Sequence, residues 1–392
     1  MPELSKKWLD DTTLRVMTYK SGAFTFQIGA DIDCLTPMLD RINDAQARFN
    51  KIPTLPNIIG QLQKQVLASS IYSTNTIEGG KFSEQETAQI LQKDPRTVQA
   101  TAEKRLTNLK QAIDWVTTHA APFNPYGNKL IEPNTAIHLH HLVSQDLQEQ
   151  HNPTGQYRDN QPQQKTFVGN DEHGGRYQPP KCLDDIEYLM QSWAEWLNSD
   201  GMMRQSAIIR ATLAHYYFEL IHPFFDGNGR TGRLVEMLLL EQAGYRFCSS
   251  AIWRYYQEHI HEYFSLFNQC RKFAKAKRDN PNHAFIAFVL DGMFVTINDL
   301  HDQTNHLLSV LLFQSRLNTA KAQKDINDRQ FGLMYQLLTE PPTTTPAIYR
   351  LPIVQTIYQG KTERTFYRDI NKLTELGFLV EYDGKIIINL LS

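Results

Sequence analysis

Apolar residues recur at spacings of three and four along most of the chain, the period of one helix face. That pattern predicts helices over residues 31–51, 57–77, 95–119, 133–149, 183–198, 202–220, 232–243, 250–273 and 281–315. Gly79-Gly80 stops the second, as glycine past a helix end does. Ahead of them, 14–28 carries short β-leaning runs broken by Lys20-Ser21-Gly22, which predicts a hairpin. The helical pattern fails over 154–180, a stretch rich in Gly, Gln, Asn and Asp, where 165–168 and 175–178 read as two short strands of a surface hairpin. A long polar excursion inside a helical region is a functional signal.

A polar run at 320–328 marks a boundary. Beyond it the pattern predicts helices near 331–339, 353–358 and 363–376, the first two separated by a Pro/Thr loop. Gly377 ends the last, and strands at 378–382 and 385–390 flank Asp383-Gly384, a hairpin turn dipeptide. Three helices and a two-stranded wing make the winged helix-turn-helix pattern. The fold class expected is therefore mainly α.

The chain has 392 residues, more than one ordinary core organises, so two or three domains are expected. Charged residues at 21%, hydrophobic ones at 41% and a formal charge of −2 fit a soluble globular protein with no overall positive field toward nucleic acid or membrane. Cys34, Cys182, Cys248 and Cys270 lie far apart with no CxxC pair, which reads as reduced, mostly buried thiols. The first eleven residues lack the apolar core of a signal peptide, and the most apolar stretch, 284–297, is interrupted by Asp291 and short for a bilayer. The expectation is a cytoplasmic protein with no membrane partner.

Chemistry concentrates in one segment, His222-Pro-Phe-Phe-Asp-Gly-Asn-Gly-Arg-Thr-Gly-Arg233. An apolar helix precedes it, Pro223 forces the chain out of helical geometry, and another apolar helix follows Gly232. Gly227 and Gly229 let backbone amides turn toward a ligand at a helix N-terminus, which is an anion site. Arg230 and Arg233 stand one helical turn apart and can face one phosphate chain. Asp226 suits Mg²⁺ beside phosphates, Asn228 can donate to a phosphate oxygen, and His222 suits general-base work. Phe224 is expected to point into the core. Taken singly, Asp-Gly is a turn and His222 a cap; the turn reading has to explain a His, an Asp, an Asn and two Arg together. No Walker sequence occurs, since Gly360-Lys361-Thr362 lacks the leading glycine at Gln355.

The segment resembles the signature of the Fic (filamentation induced by cAMP) family, His-Pro-Phe-x-Asp-Gly-Asn-Gly-Arg-x-x-Arg, at every fixed position. The resemblance spans roughly 57–273 and implies a Fic-type helical domain with a β-hairpin flap at 155–180. It implies three regions: 1–80 with an inhibitory helix, 81–320 as the catalytic domain, and 321–392 as the winged helix. The implied activity is transfer of AMP from ATP to a Tyr, Ser or Thr hydroxyl of a target protein and of the chain itself. His222 would take the hydroxyl proton and Asp226 would hold Mg²⁺. Gly227, Asn228, Gly229, Arg230, Gly232 and Arg233 would bind the nucleotide. Lys165, Thr166, Phe167 and Val168 would dock the target by strand-like pairing.

Thr74-Asn-Thr-Ile-Glu78-Gly79 carries a second resemblance. Thr74 and Glu78 share a helix face, and Glu78 sits at a helix end, where the dipole disfavours an anion; by that alone Glu78 is either a solvated carboxylate or one with a distant cation. The segment is similar to the family's inhibitory pattern, [Ser/Thr]-x-x-x-Glu-[Gly/Asn], which implies that Glu78 pairs with Arg233 and blocks productive binding of the γ-phosphate. In some relatives the same Glu helps remove AMP, so de-AMPylation is a second implied activity. The family has an Asn-Arg pair before two tyrosines at its adenine pocket, whereas this chain has His259-Ile260 and Tyr263-Phe264 there.

His138, His140 and His141 read as structural or surface residues rather than ligands, because no carboxylate completes a set. Lys361, Arg364, Arg368 and Lys372 make one basic stripe along the last helix, which fits DNA or a protein surface. Two alternatives to the enzyme remain: a DNA-binding regulator whose Fic domain senses nucleotide, and a transferase of phosphate or another nucleotide. A homodimer is compatible with each.

Overall fold

The computed structural model describes residues 4–53, 55–121, 130–147, 151–161 and 163–390. The chain divides into two compact units, 1–301 and 302–392.

The first unit opens with a three-stranded antiparallel sheet, β1 (Ser5–Asp10), β2 (Thr13–Met17) and β3 (Ala23–Phe26). β2 and β3 are the expected hairpin. β1 shows no alternation, being exposed at nearly every position, which is why its sequence does not read as a strand. The helices follow: α1 (Ile32–Phe49), α2 (Pro56–Ile77), α3 (Glu84–Ile90), α4 (Thr101–His119), α5 (Pro133–Ser144), α6 (Leu183–Leu197), α7 (Asp200–Met203), α8 (Ala207–Ile221), α9 (Asn228–Gln242), α10 (Cys248–Glu258), α11 (Ile260–Lys275) and α12 (His283–Ala322).

Several bounds differ from the periodicity, each for a local reason. Pro95–Thr97 forms a separate 3₁₀ turn capped by Asp94, so the helix expected from 95 begins at Thr101. Ser206 caps a new helix at Ile208 and splits 202–220 into α7 and α8. α9 starts at Asn228 rather than 232, with left-handed Gly227 as its cap. The stretch 250–273 is two helices that meet at His259. α3 lies outside the helices the periodicity predicts, although Ser83 and Glu86 make a full capping box. The end of the helix expected to reach 149 lies outside the described residues.

α8 is buried almost all round, as a helix at the centre of a core must be. It packs against α9 on one side and α6 on the other, while α10 packs against α2. Gly232 permits the α8–α9 crossing: a Cβ there would lie 2.7 Å from Glu219 Oε1 and 2.9 Å from His215 Cδ2. The N-terminal sheet docks through Asp185 in the first turn of α6, which is fully buried and accepts from the Tyr19 and Lys20 amides and the Ser21 hydroxyl. By length and composition α12 could cross a membrane, yet 56% of its most apolar window is buried within the protein, as in a core helix. No disulfide joins the four cysteines; Cys248 and Cys270 are buried, Cys182 is half-buried and Cys34 is exposed.

The second unit holds α13 (Asp328–Leu337), α14 (Thr345–Arg350), α15 (Pro352–Ile357), α16 (Glu363–Glu375) and a hairpin of β4 (Leu379–Tyr382) with β5 (Lys385–Ile388). α14 occupies the expected Pro/Thr loop; Pro346 falls in its first turn, where the missing amide costs nothing. Asp383 and Gly384 both have positive φ, as a two-residue hairpin turn requires. Leu333, Leu337, Val354, Phe366, Ile370, Leu373 and Phe378 form its core.

Candidate active site

The loop between α8 and α9 is held in a conformation its sequence would not adopt alone. Pro223 disfavours right-handed helical geometry at His222, and that residue leaves α8 left-handed at φ 50°. Buried Arg158 clamps the strained turn: its Nε donates to the His222 carbonyl (2.7 Å), its amide to the Pro223 carbonyl (2.8 Å) and its Nη2 to the Pro180 carbonyl (2.6 Å). Burial pushes the Arg158 pKa down to about 10, which leaves it charged at neutral pH.

Phe224 is fully buried and stacks on His140, with ring centroids 3.7 Å apart and planes 5° apart. The Gly155 amide donates to His140 Nδ1 (3.1 Å), so His140 Nε2 carries the proton and donates to the Asp226 carbonyl (3.0 Å). Burial pushes the His140 pKa down to about 4, consistent with that neutral tautomer. Asn228 closes the loop, accepting from the Phe224 amide (2.9 Å) and donating to the Phe224 carbonyl (2.8 Å). One N–H and the carbonyl oxygen of its side chain therefore shape the loop.

Gly227, at φ 84°, turns the backbone into the N-terminus of α9, whose first-turn amides are the natural anion donors. Gly229 is ordinary helix; it matters because a Cβ there would lie 2.2 Å from Glu78 Oε1. Gly232, expected to contact nucleotide, faces α8 for the packing reason given above.

The two arginines do not face one common partner. Arg230 Nη2 donates to Asp226 Oδ2 at 2.9 Å. Burial alone would raise the Asp226 carboxyl, but Arg230 and the Gly227 amide hold it below the usual carboxylate range. Arg233 is turned inward and 1% exposed. Its Nε donates to Thr74 Oγ1 (2.8 Å), its Nη1 to the Tyr263 hydroxyl (3.3 Å) and its Nη2 to Glu78 Oε1 (2.6 Å). Thr74 and Glu78 thus use their four-residue spacing to grip one guanidinium from the end of α2. Burial opposes its charge, but Tyr263 and Glu78 outweigh that and raise its pKa above the ordinary arginine value. Gly79, at φ 81°, ends α2 directly behind Glu78.

Arg233 can only donate, and the Glu236 carboxylate can only accept. The Tyr263 hydroxyl accepts from Arg233 and lies 3.0 Å from His215 Nε2, to which it donates when the imidazole is neutral. His215 Nδ1 then donates to Glu236 Oε2 (3.2 Å), and the Tyr256 hydroxyl donates to Glu236 Oε1 (2.9 Å). His215, Glu236 and Tyr256 are fully buried. Neither His215 nor Glu236 carries a signal in its own stretch of sequence.

His222 Nδ1 is buried without a hydrogen-bond partner and faces Glu219 Oε2 at 3.7 Å. Glu219 is fixed from behind by the Tyr177 hydroxyl, which donates to its carbonyl (2.8 Å). The spacing of three residues between Glu219 and His222 is the only sequence signal for this carboxylate, and it passes unnoticed beside the twelve-residue motif.

The flap is less regular than expected. Among the described residues the two proposed strands reduce to one bridge, Val168 with Tyr177 (2.9 and 3.0 Å). Gly169 at φ 89° lies so close to the Gly175 carbonyl that a Cβ would clash, and this kink ends the pairing. Lys165 and Phe167 are exposed and Thr166 and Val168 half-buried; Phe167 is 57% exposed, unusual for a large apolar side chain.

Residues 130–240, from the end of the loop before α5 through most of α9, match the Fic/DOC family. These residues form a Fic domain. A protein adenylyltransferase Fic of Drosophila ananassae is 44% identical over 79 residues, 20% of this chain and 16% of that relative, and the Drosophila erecta protein of the same name aligns equally. The chain therefore spans about a sixth of the length of the curated relatives it matches. A Fic family protein from Desulfovibrio desulfuricans has the same fold over 90% of this chain and 95% of its own (TM-score 0.55, 15% identity). A Fic domain containing signalling protein from Bacteroides thetaiotaomicron covers 68% of this chain and 97% of its own (TM-score 0.55, 17% identity). Fic-1 from C. elegans covers 69% and 73% (TM-score 0.50, 18% identity). The Fic domain lies wholly within the first unit.

Proposed function

We propose that the chain is a self-inhibited protein adenylyltransferase. The observation that carries the reading is a complete His222–Arg233 loop whose second arginine is held by the chain's own Glu78 at 2.6 Å. His222 takes the proton of a target hydroxyl, and the freed oxygen attacks the α-phosphorus of ATP. The bond from that phosphorus to the bridging oxygen breaks and pyrophosphate leaves. Glu219 orients the imidazole through Nδ1 once the 3.7 Å gap closes. The first-turn amides of α9 receive charge on the α-phosphate.

Arg233 serves the γ-phosphate only when Glu78 releases it, so the resting state is off. Asp226 suits Mg²⁺: Arg230 takes one carboxylate oxygen, the side chain is half exposed, and a lone carboxylate with phosphates and water completing the shell is how that ion binds. Exposed Phe167, next to the single Val168–Tyr177 bridge of the flap, supports target docking by strand addition. De-AMPylation would use the same loop and Glu78. The working division is 1–80 as regulatory, 81–320 as catalytic and 321–392 as a winged helix.

Intact-mass analysis tests this directly. Wild type, Glu78→Gly and His222→Ala are incubated with Mg²⁺ and each nucleoside triphosphate. AMP addition that rises in Glu78→Gly and drops at least a thousandfold (about 4 kcal/mol) in Glu78→Gly/His222→Ala is expected. Unchanged transfer by the double variant would sink the assignment of His222, and phosphate or another nucleotide on the protein would replace AMP with that group. A second reading, DNA binding by the C-terminal unit, is favoured by one observation: Lys361, Arg364, Arg368 and Lys372 are all exposed around α16. A gel shift that shows no complex at low salt removes it.

A further inference from the structure

Three donor groups outside the nucleotide loop converge at the tip of the flap. His173 Nε2 lies 3.2 Å from His261 Nδ1, and Glu172 Oε1 lies 3.3 Å from the same His261 nitrogen. All three donor atoms fall within 4.8 Å of one another, and no other such group of three occurs among the described residues. Glu172 and His173 come from the flap tip and His261 from the first turn of α11.

Direct hydrogen bonds cannot pair all three groups with one another. If His261 Nδ1 carries a proton, that one proton is shared between a carboxylate and an imidazole lone pair. If His173 donates instead, the Glu172 carboxylate faces a lone pair at 3.3 Å. A divalent cation meets all three. In a tetrahedral zinc site with bonds of about 2.0–2.1 Å, neighbouring donors sit about 3.3–3.4 Å apart. Two of the spacings here, 3.2 and 3.3 Å, lie at or just below that value. Two imidazoles and one carboxylate are also the ligand types that zinc-like ions select.

The backbone that presents the ligands is fixed independently. Asn170 Oδ1 accepts from the His173 amide (2.9 Å), and nearly buried Asn268 of α11 donates to the His173 and Gly175 carbonyls (2.9 and 2.8 Å). Lys272 Nζ donates to the Gly174 carbonyl at 2.6 Å. The ligands are therefore pre-positioned on both sides, and their exposure gives an ion an entry path and room for a water as fourth ligand.

We propose that Glu172, His173 and His261 form a zinc-type cation site that clasps the flap tip to α11. The consequence, that the cation sets how 165–168 is presented to a target, rests on the docking role proposed above; the binding itself does not.

The test titrates Zn²⁺ into the full chain, freed of metal, against a chromogenic chelator. One tight equivalent is expected in wild type, at least tenfold weaker in Glu172→Gln and lost in His173→Ala/His261→Ala. Co²⁺ in place of Zn²⁺ is expected to give the intense visible bands of four-coordinate geometry. Hydrogen exchange of the 166–178 amides is expected to slow with Zn²⁺ in wild type and not in His261→Ala. These are surface positions, and far-UV circular dichroism checks that each variant is folded. Absence of a stoichiometric equivalent, or equal affinity in the double variant, overturns the site; stoichiometric binding with unchanged exchange overturns the clasp.

Discussion

Each unit contains one arginine–carboxylate pair at the heart of its hydrogen-bonding network, and the two are built in opposite senses. In the first unit Arg233 is the sealed member at 1% exposure and Glu78 stands at the rim at 28%. In the second Asp369 is sealed at 3% and Arg329 stands at the rim at 21%. Asp369 accepts from three donors, Arg329 Nε (2.7 Å), Gln330 Nε2 (2.9 Å) and the Tyr358 hydroxyl (3.0 Å). Arg233 is oriented by Thr74 and Tyr263 and lends its outermost nitrogen to Glu78. A sealed cation with an anion at the rim can exchange that anion for another, whereas the sealed Asp369 is held by three donors of the chain itself. On the function proposed above, the same pairing chemistry makes a replaceable lid in one unit and a structural pin in the other.

The largest test of that contrast removes the pin. Asp369→Ala leaves Gln330 and Tyr358 with buried donors and no acceptor, and should cost the second unit about 3 kcal/mol. Hydrogen exchange across 328–375 reads this as roughly a hundredfold loss of protection. AMP transfer should not change. A loss of protection under about threefold would mean that the buried carboxylate is not the pin described.

Acid offers a test of similar size in the first unit. The folded-state pKa of His140 is depressed to about 4, below an unfolded value near 6.5, so the unfolded chain binds the extra proton first. Its contribution is intact above pH 6.5 and is lost as pH falls toward 4, by up to about 3 kcal/mol. Melts followed by tryptophan fluorescence report this unit, since all five tryptophans lie within 1–301. His140→Gln should flatten that slope, and an equal slope in the variant would place the acid sensitivity elsewhere.

How much of this was readable beforehand follows from where the information sits. The helices of the core and the C-terminal hairpin turn carry their own period and turn chemistry, and the loop at 222–233 is contiguous, so all are local signals. Thr74 and Glu78 also stand in one stretch; their spacing is a local signal, and their partner Arg233 is implied by the resemblance rather than by the spacing. What sequence could not give is long-range: Arg158 under the His222 carbonyl, His140 under Phe224, and His215 with Glu236 behind Tyr263. Each is an ordinary residue in its own neighbourhood and acquires meaning only when helices distant in sequence pack together. Asn228 and Gly232 show the converse. Both belong to the motif, yet the fold uses one to close the loop and the other to let two helices touch.

Next in size is removal of the lid. Glu78→Gly leaves the buried Arg233 guanidinium with only the neutral Thr74 and Tyr263 hydroxyls, an uncompensated charge that should cost about 2 kcal/mol of stability. Self-labelling with ATP should rise at least tenfold, about 1.4 kcal/mol of relieved competition. Intact mass and a thermal melt on the same sample separate the two effects. Equal labelling of variant and wild type would mean that the Glu78 pair is as structural as the Asp369 one.

The smallest expected effect probes what holds the sealed arginine. Tyr263→Phe, made in the Glu78→Gly background, removes the hydroxyl between Arg233 Nη1 and His215 Nε2 and leaves the ring packing in place. The bond to Arg233 is long, and Thr74 still orients the guanidinium through Nε, so the loss should be about 1 kcal/mol. If Arg233 serves the γ-phosphate, a group remote from the bond being made, that loss weakens ground and transition states alike. KM for ATP should then rise about fivefold while kcat stays within about twofold. The His215–Glu236–Tyr256 chain behind it would lose one donor and keep its other two bonds, which a hydrogen-exchange comparison of α9 and α11 can follow. A fall in kcat with KM unchanged would put Tyr263 and Arg233 at the reacting phosphorus, and the exchangeable lid would then cover the centre of the chemistry rather than its far end.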